Sequence, residues 1–279
     1  MFKKLADTIR DKFHEIVERP LLTTSLVLIM VSVLVISLSL RYYITDFDSF
    51  WGQILAEAHG MIFDVAVIGI LLFWLNQSGE TRQRIRMYKD EIDDFRLWES
   101  DEAAFRTVGN IKRLNRHKIY EINLVNCYLA RANLNYVNLK GSNLNSANIT
   151  NSSLIETNLE NSRLNQTSLE NSNLNQANLS GAYASGANFR DAFLIKSLFK
   201  GAFLIKTNFT NAFLMEADLR NSYLMGADFT NASLYKADLR GAKGLTIEQL
   251  MLAKTLYLAK FDDSLQAEVQ QILPELVDA

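Results

Sequence analysis

The sequence predicts a helical hairpin of membrane type followed by a long repeat whose chain turns a corner every five residues. Three observations carry that prediction. Two apolar runs stand within the first 76 residues. Lys and Arg crowd their outer flanks but not the loop between them. From Leu124 to Leu239 a large apolar residue then returns at every fifth position without a slip in register.

Residues 21–40 carry no charge and are bounded by Pro20 and Arg41, enough to cross a hydrocarbon core of roughly 30 Å. A signal peptide has a shorter apolar core and a small-residue cleavage site. Here a second apolar run follows over 54–75, broken only by Glu57, His59 and Asp64. The predicted unit is a two-helix transmembrane hairpin over 20–76. Lys3, Lys4, Arg10, Lys12 and Arg19 precede it, Arg82, Arg84, Arg86 and Lys89 follow it, and Arg41 alone lies between. The positive-inside rule then places both termini, and everything past residue 76, in the cytoplasm. The setting this predicts is a bacterial plasma (inner) membrane. Over 1–19, Phe2, Leu5, Ile9, Phe13 and Val17 recur at helical spacing opposite the charges, the pattern of a helix lying in the lipid interface.

Polar residues inside the hairpin fall on shared faces. Gln53, Glu57, Gly60 and Asp64 are spaced 4, 3 and 4 apart, and Ser25, Ser32 and Ser39 by sevens. Small and polar seams of this kind pack membrane helices together; an intramembrane acid such as Asp64 also suits an ion path in an oligomer. Residues 77–118 read as a helical connector. Ile85, Tyr88, Ile92 and Phe95 form a short seam able to pair subunits or to rest on the next domain, and Gly109 and Asn110 are expected to interrupt the helix.

The repeat occupies 119–245. Of the 24 positions taken every fifth residue from Leu124 to Leu239, 23 are Leu, Ile or Phe, and the exception is Ala184. The residue two before each is Ala, Ser, Thr or Cys in 22 of 24 cases, with Ile122 and Val137 departing. A period of five fits neither a helix nor a plain strand; it suits a chain that points one large and one small side chain inward per corner. Runs such as Ala217-Asp218-Leu219-Arg220-Asn221 resemble the A-(D/N)-L-x-x unit of the pentapeptide-repeat family. The resemblance implies an all-β fold, a right-handed quadrilateral β-helix with four units per coil. Twenty-four units would give about six coils, roughly 29 Å of rod at ~4.8 Å per rung. Over 246–279, Thr246 and Gln249 form a capping-box pattern for a helix through about Lys254. Asp263 is expected to start a last helix reaching Leu276 past Pro274. These close the C-terminal end as the connector closes the other.

Function must then lie on the outside of the rod. Over 119–245 eleven Lys or Arg face nine Asp or Glu. Some members of the family mimic DNA with an acidic surface, and this balance lacks one, so no nucleic-acid-related role is expected. Tyr183, Phe193, Phe203, Phe213 and Tyr223 recur every ten residues, each just before a central residue, and Ile195, Ile205, Met215, Met225 and Tyr235 follow the central Leu. At twenty residues per coil these make two opposite apolar faces. One carries Tyr183, Phe203, Ile205, Tyr223 and Met225; the other carries Phe193, Ile195, Phe213, Met215 and Tyr235. Such patches mark interaction sites, for a protein partner, a second copy or membrane lipid. The remaining faces are expected to stay polar, with Asp218, Arg220, Asp228 and Asp238, successive acids lying on opposite faces so that the three form no single carboxylate pair. No phosphate loop, Ser/His/Asp grouping or metal-ligand spacing occurs, and the single Cys127 forms no intramolecular disulfide. The reading is a non-enzymatic membrane-anchored scaffold with no cofactor, no metal and no small-molecule substrate. The competing class is an oligomeric membrane effector whose hairpins form a pore.

Overall fold

The computed structural model describes residues 50–277 and five helical positions between 29 and 37. The expected interfacial helix (1–19), most of the first span, its serine seam and the loop at Arg41 lie outside the described residues. The chain divides into two compact units, Met1–Arg84 and Ile85–Ala279.

Helix α1 spans Phe50–Asp94, so the second apolar run enters the connector without a break at 76. From His59 on, it is the one helix among the described residues that is long and apolar enough to cross a membrane. Met61, Phe63, Val65, Ile70, Phe73 and Trp74 are all exposed on it. A helix greasy on its outside has no aqueous partner for that surface.

In the second unit the end of α1 rests on the repeat. Ile92 is buried, and Ile85 and Tyr88 pack against the same core, which is the second of the two roles open to that seam. The helix does not break at Gly109 and Asn110. It breaks at Leu97, whose φ is 68°, and α2 (Asp101–Arg116) runs through both residues. Ser100 is the reason: extended, with its hydroxyl accepting from Ala103 N at 3.1 Å, it caps α2. Asp101 and Glu102 fill the first turn and Arg113 and Arg116 the last, each sign matching the helix dipole. These signals outweigh the roughly 1 kcal/mol cost of an interior Gly. Val108, Ile111 and Leu114 turn inward onto the first coil, and Ala103 and Ala104 are also buried.

The repeat pairs with itself in parallel at a spacing of twenty residues: Asn123 with Asn143, Tyr128 with Asn148, Asn133 with Ser153, Asn138 with Asn158, and onward. Four units therefore complete one coil. Each face contributes a single paired rung before the chain turns, so no continuous strand forms among the described residues despite the all-β expectation. The rungs are held from both sides: Leu124 N donates to Asn143 O at 2.7 Å, and Asn143 N to Ile122 O at 2.9 Å. Corners close by a turn in which Cys127 N donates to Leu124 O, and Asn126, the third turn residue, has φ 57°. That left-handed position recurs every five residues from Asn126 to Gly241, which accounts for the Asn and Gly found there. The central Leu and Phe side chains are buried, each contributing roughly 1.5–3 kcal/mol. At the corners hydroxyls replace alanines by binding carbonyls of the coil below; Thr157 Oγ1 donates to Leu134 O at 2.8 Å.

Both ends of the ladder are closed by side chains standing in for a missing coil. At the first coil the Arg96 guanidinium donates to the carbonyls of Val125 and Asn123, and Asn115 Oδ1 accepts from Asn138 N at 2.7 Å. At the other end Gly244 (φ 72°) stops the repeat where an added Cβ would lie 2.9 Å from Met225 Cβ. Helix α3 (Ile247–Met251) follows with both halves of the predicted capping box. It ends at Met251, short of Lys254, because the repeat resumes. Thr255 pairs with Ser233 and Lys260 with Asp238 at a spacing of 22, and Leu256 and Phe261 fill central positions. The last helix is also two pieces, α4 (Asp263–Ile272) and α5 (Pro274–Val277). Pro274 forces the division, since it disfavours helical backbone at Leu273. Leu276 O then accepts from Leu256 N at 2.7 Å, and the Asp262 carboxylate from Gly241 N at 3.0 Å.

Candidate interaction surface

The four faces are named here by their first rungs. On the Asn123 face the rungs run Asn123, Asn143, Arg163, Tyr183, Phe203, Tyr223 and Lys243; on the Asn133 face they run Asn133, Ser153, Asn173, Phe193, Phe213, Ser233 and Thr255. The ten residues of the two predicted apolar groups thus divide as expected. Rungs repeat at about 4.8 Å, within the range of offset ring stacking, and the rings stack. Tyr183 and Phe203 lie 4.8 Å apart at 2°, Phe203 and Tyr223 4.6 Å at 4°. Phe193 and Phe213 lie 5.0 Å apart at 5°. Stacking along the rod turns ring faces against one another and leaves ring edges to solvent. Tyr183 is 45% exposed, Phe193 42% and Met225 60%; Phe203, Ile205, Tyr223, Ile195, Met215 and Tyr235 are half-buried between neighbours. Tyr257, in the resumed repeat, extends the Asn133 face by stacking on Tyr235 at 5.8 Å.

The other two faces depart from expectation at one rung. Leu198, 40% exposed, is a rung of the Asn138 face between Asn178 and Asp218, so that face is not wholly polar. Its signal was its place just before a central residue, Phe199, as Phe193 and Phe203 stand just before Leu194 and Leu204. Successive acids lie on opposite faces, as expected, which leaves Asp218 and Asp238 as neighbouring rungs of one. Arg220 joins them, with Nη2 2.6 Å from Asp218 and Nε 3.8 Å from Asp238, and Arg240 lies 2.6 Å from Asp238. The hydrogen bonds from Arg220 and Arg240 hold the Asp218 and Asp238 carboxyls, respectively, below the usual carboxylate range. This is an ion-pair ladder, with no carboxyl poised as an acid.

Of the predicted polar seam, Glu57 is exposed and Gly60 and Asp64 are half-buried on α1; the Gln53 side chain lies outside the described residues. Among the described residues no His, Cys, Asp and Glu gather as metal ligands. Cys127 fills a buried corner, and burial pushes its thiol up to about 11, so it is a packing residue. An open cleft of about 910 Å³ lies between α2 and the second coil corner, lined by Phe105, Arg106, Lys112 and Arg131 among others. Its Arg106 and Arg131 are paired with Glu102 and Asp101 at 3.0 and 2.9 Å.

Compared with known families, the chain matches the pentapeptide-repeat model in eight copies between residues 122 and 243. That region belongs to the pentapeptide-repeat family, whose members are right-handed quadrilateral β-helices. Among solved structures it is similar to HetL from the cyanobacterium Nostoc sp., a pentapeptide repeat protein involved in heterocyst differentiation regulation. That match has 28% identity over 54% of this chain and 78% of HetL, with a TM-score of 0.34. A thylakoid-lumen pentapeptide repeat protein of Arabidopsis thaliana matches at 19% identity, covering 48% of this chain and 77% of that one, with a TM-score of 0.24. QnrB1, a plasmid-mediated fluoroquinolone resistance protein, matches at 17% identity, covering 57% and 86%, with a TM-score of 0.25. No curated protein matches.

Proposed function

We propose that this protein is a membrane-anchored scaffold or adaptor. A two-span hairpin over 20–76 holds it in a bacterial inner membrane, and a β-helix of about six coils is presented in the cytoplasm for protein–protein interaction or self-assembly. One observation carries the reading: two stacked apolar ladders stand exposed on opposite sides of a rod whose ends are both closed. With the ends occupied, the sides are the surface left for a partner, and contiguous apolar area is what partners bury. The exposed apolar length of α1 supports anchoring, and the flanking Lys and Arg support the cytoplasmic side. No catalytic step, cofactor or metal enters this reading.

The test is the mass of the full-length chain in mild detergent, beside a Phe193→Ser/Phe213→Ser variant. A defined homo-oligomer, or a stoichiometric co-purifying protein, is expected for the natural chain, and its loss for the variant at unchanged thermal unfolding. Association that survives both substitutions would sink the reading. The half-buried Asp64, the one charged residue of α1 between His59 and Glu80, favours a second reading, an oligomeric effector whose hairpins form a pore. A homo-oligomer that passes ions, and stops when Asp64 becomes Asn, would establish that one.

A further inference from the structure

The two apolar faces are not alike, and we infer that the Asn123 face is a lipid-docking surface that lies flat on an anionic membrane leaflet. The inference rests on the membrane-anchored reading. Its first support is charge. Over each rung of this face, the two residues beyond it and the corner that follows, from Asn123 to Thr246, there is no Asp or Glu, and the corner that precedes carries one, Glu121 beside the first rung. There are three cations: Arg163 below the aromatic stack, Lys206 beside it and Lys243 above it. Lys243 caps the stack, with Nζ 4.7 Å from the Tyr223 ring centre and 3.2 Å from its hydroxyl. Neither Arg163 nor Lys206 has a carboxylate within ion-pair distance, whereas of the cations elsewhere on the rod Lys140, Lys196, Arg190, Arg220 and Arg240 do and Lys200 and Lys236 do not. On the opposite face Lys196 and Glu216 stand paired at 3.7 Å.

The second support is shape. All six glycines at the left-handed corners, Gly141, Gly181, Gly186, Gly201, Gly226 and Gly241, fall on the two edges that bound this face. The other two edges have none; they carry residues such as Arg131, Tyr136, Asp191, Lys196 and Glu216. The Asn123 face is thus the one face whose rims are cut low, so that a broad flat object can reach the ladder between them.

The third is the way the rings stand. Their faces are spent on one another at 4.6–4.8 Å, so no nucleobase or sugar can stack on them, which removes the contact single-stranded nucleic acids use. What remains is ring edges, the aliphatic tips of Ile205 and Met225, and two tyrosine hydroxyls. Amphipathic aromatics beside Lys and Arg are the composition of a membrane interface. Arg163 to Lys243 is four rungs, about 19 Å at ~4.8 Å each, so the cations meet several headgroups along one line. An acidic polypeptide would satisfy the charge but does not call for low rims on both sides.

The experiment uses the full-length chain, with Cys127→Ala and one reporter cysteine, reconstituted into vesicles of phosphatidylcholine with or without phosphatidylglycerol. Met225→Cys reports the face. Thr230→Cys, one unit on and equally placed after its central residue, is the reference. With an environment-sensitive fluorophore and brominated lipid, the label at 225 is expected to shift to the blue and be quenched several-fold more with phosphatidylglycerol, while that at 230 stays wet. Arg163→Glu with Lys206→Glu should return 225 to water. A 225 label as wet as 230 in both lipids overturns the inference, and so does one protected equally in detergent, which would mean a polypeptide covers the face. Failure of anchoring shows separately, as chain removed from vesicles by alkaline washing. In that case added phosphatidylglycerol vesicles must still protect 225, or docking falls as well.

Discussion

Ala184 is the one central position of the repeat without a large side chain, and it is fully buried. Its coil explains it. Phe189 and Phe199 occupy two of the other three central positions of that turn and meet edge to face at 5.9 Å, and Phe199 meets Phe209 of the next turn at 6.0 Å. Rings replace Leu at two corners of a closed square, and the missing methyls of Ala184 make the room. Ala184→Leu is therefore expected to destabilise the rod by about 1–3 kcal/mol through overpacking. A second change, Phe199→Leu, should recover a large part of that loss. Urea unfolding of the single and double variants measures the coupling; costs that simply add would mean the two sites share no volume. The period-five pattern alone marked Ala184 as an exception, and only the arrangement of four columns around one axis shows which neighbours it compensates.

At the scale of elements, Gln249 shows how the rod is finished. Its Oε1 accepts from Thr246 N at 3.0 Å, and its Nε2 donates to Leu224 O at 2.9 Å and Ala227 O at 2.7 Å. In earlier coils the carbonyl equivalent to Ala227 takes a rung N–H, as Thr207 O does from Asp228 N. Gln249 thus caps a helix and substitutes for a rung at once. Gln249→Ala is expected to cost about 2 kcal/mol, three hydrogen bonds at roughly 0.5–1.5 kcal/mol each less what water restores. Because coils couple only to neighbours, amide exchange should quicken from Ala227 to Phe261 and stay slow before Leu179; a uniform rise would show the cap is not local. The capping box was legible because it is a four-residue signal. The resumed repeat at Thr255 to Phe261 was not, because the insertion of α3 shifts its phase by two residues and hides it from a five-residue comb. The break at Leu97 was hidden for a related reason: Gly109 is the stronger local signal, and burial of α2 against the first coil overrides it.

On the scale of the whole molecule, a β-helix has unpaired backbone only at its two ends, and an unpaired ladder is a template for another chain. The single register of the repeat made the sides of the rod readable from sequence; its ends depend on Arg96, Asn115 and Asp262, which carry no repeat pattern. Their placement argues that the caps keep rods apart, so that association is left to the side faces. Ending the chain after Gly244 removes the partners of Asn231, Leu234, Lys236, Leu239 and Gly241 N–H groups, now supplied by residues 252–262. The shortened chain is expected to associate end to end with rising concentration, seen as larger species in sedimentation in detergent. That association should be indifferent to Phe193→Ser/Phe213→Ser, which act on a side. If the shortened chain instead keeps the mass of the full-length protein at every concentration, the caps only stabilise the last coil. If the side substitutions disperse its larger species, the ends are not where the rods meet.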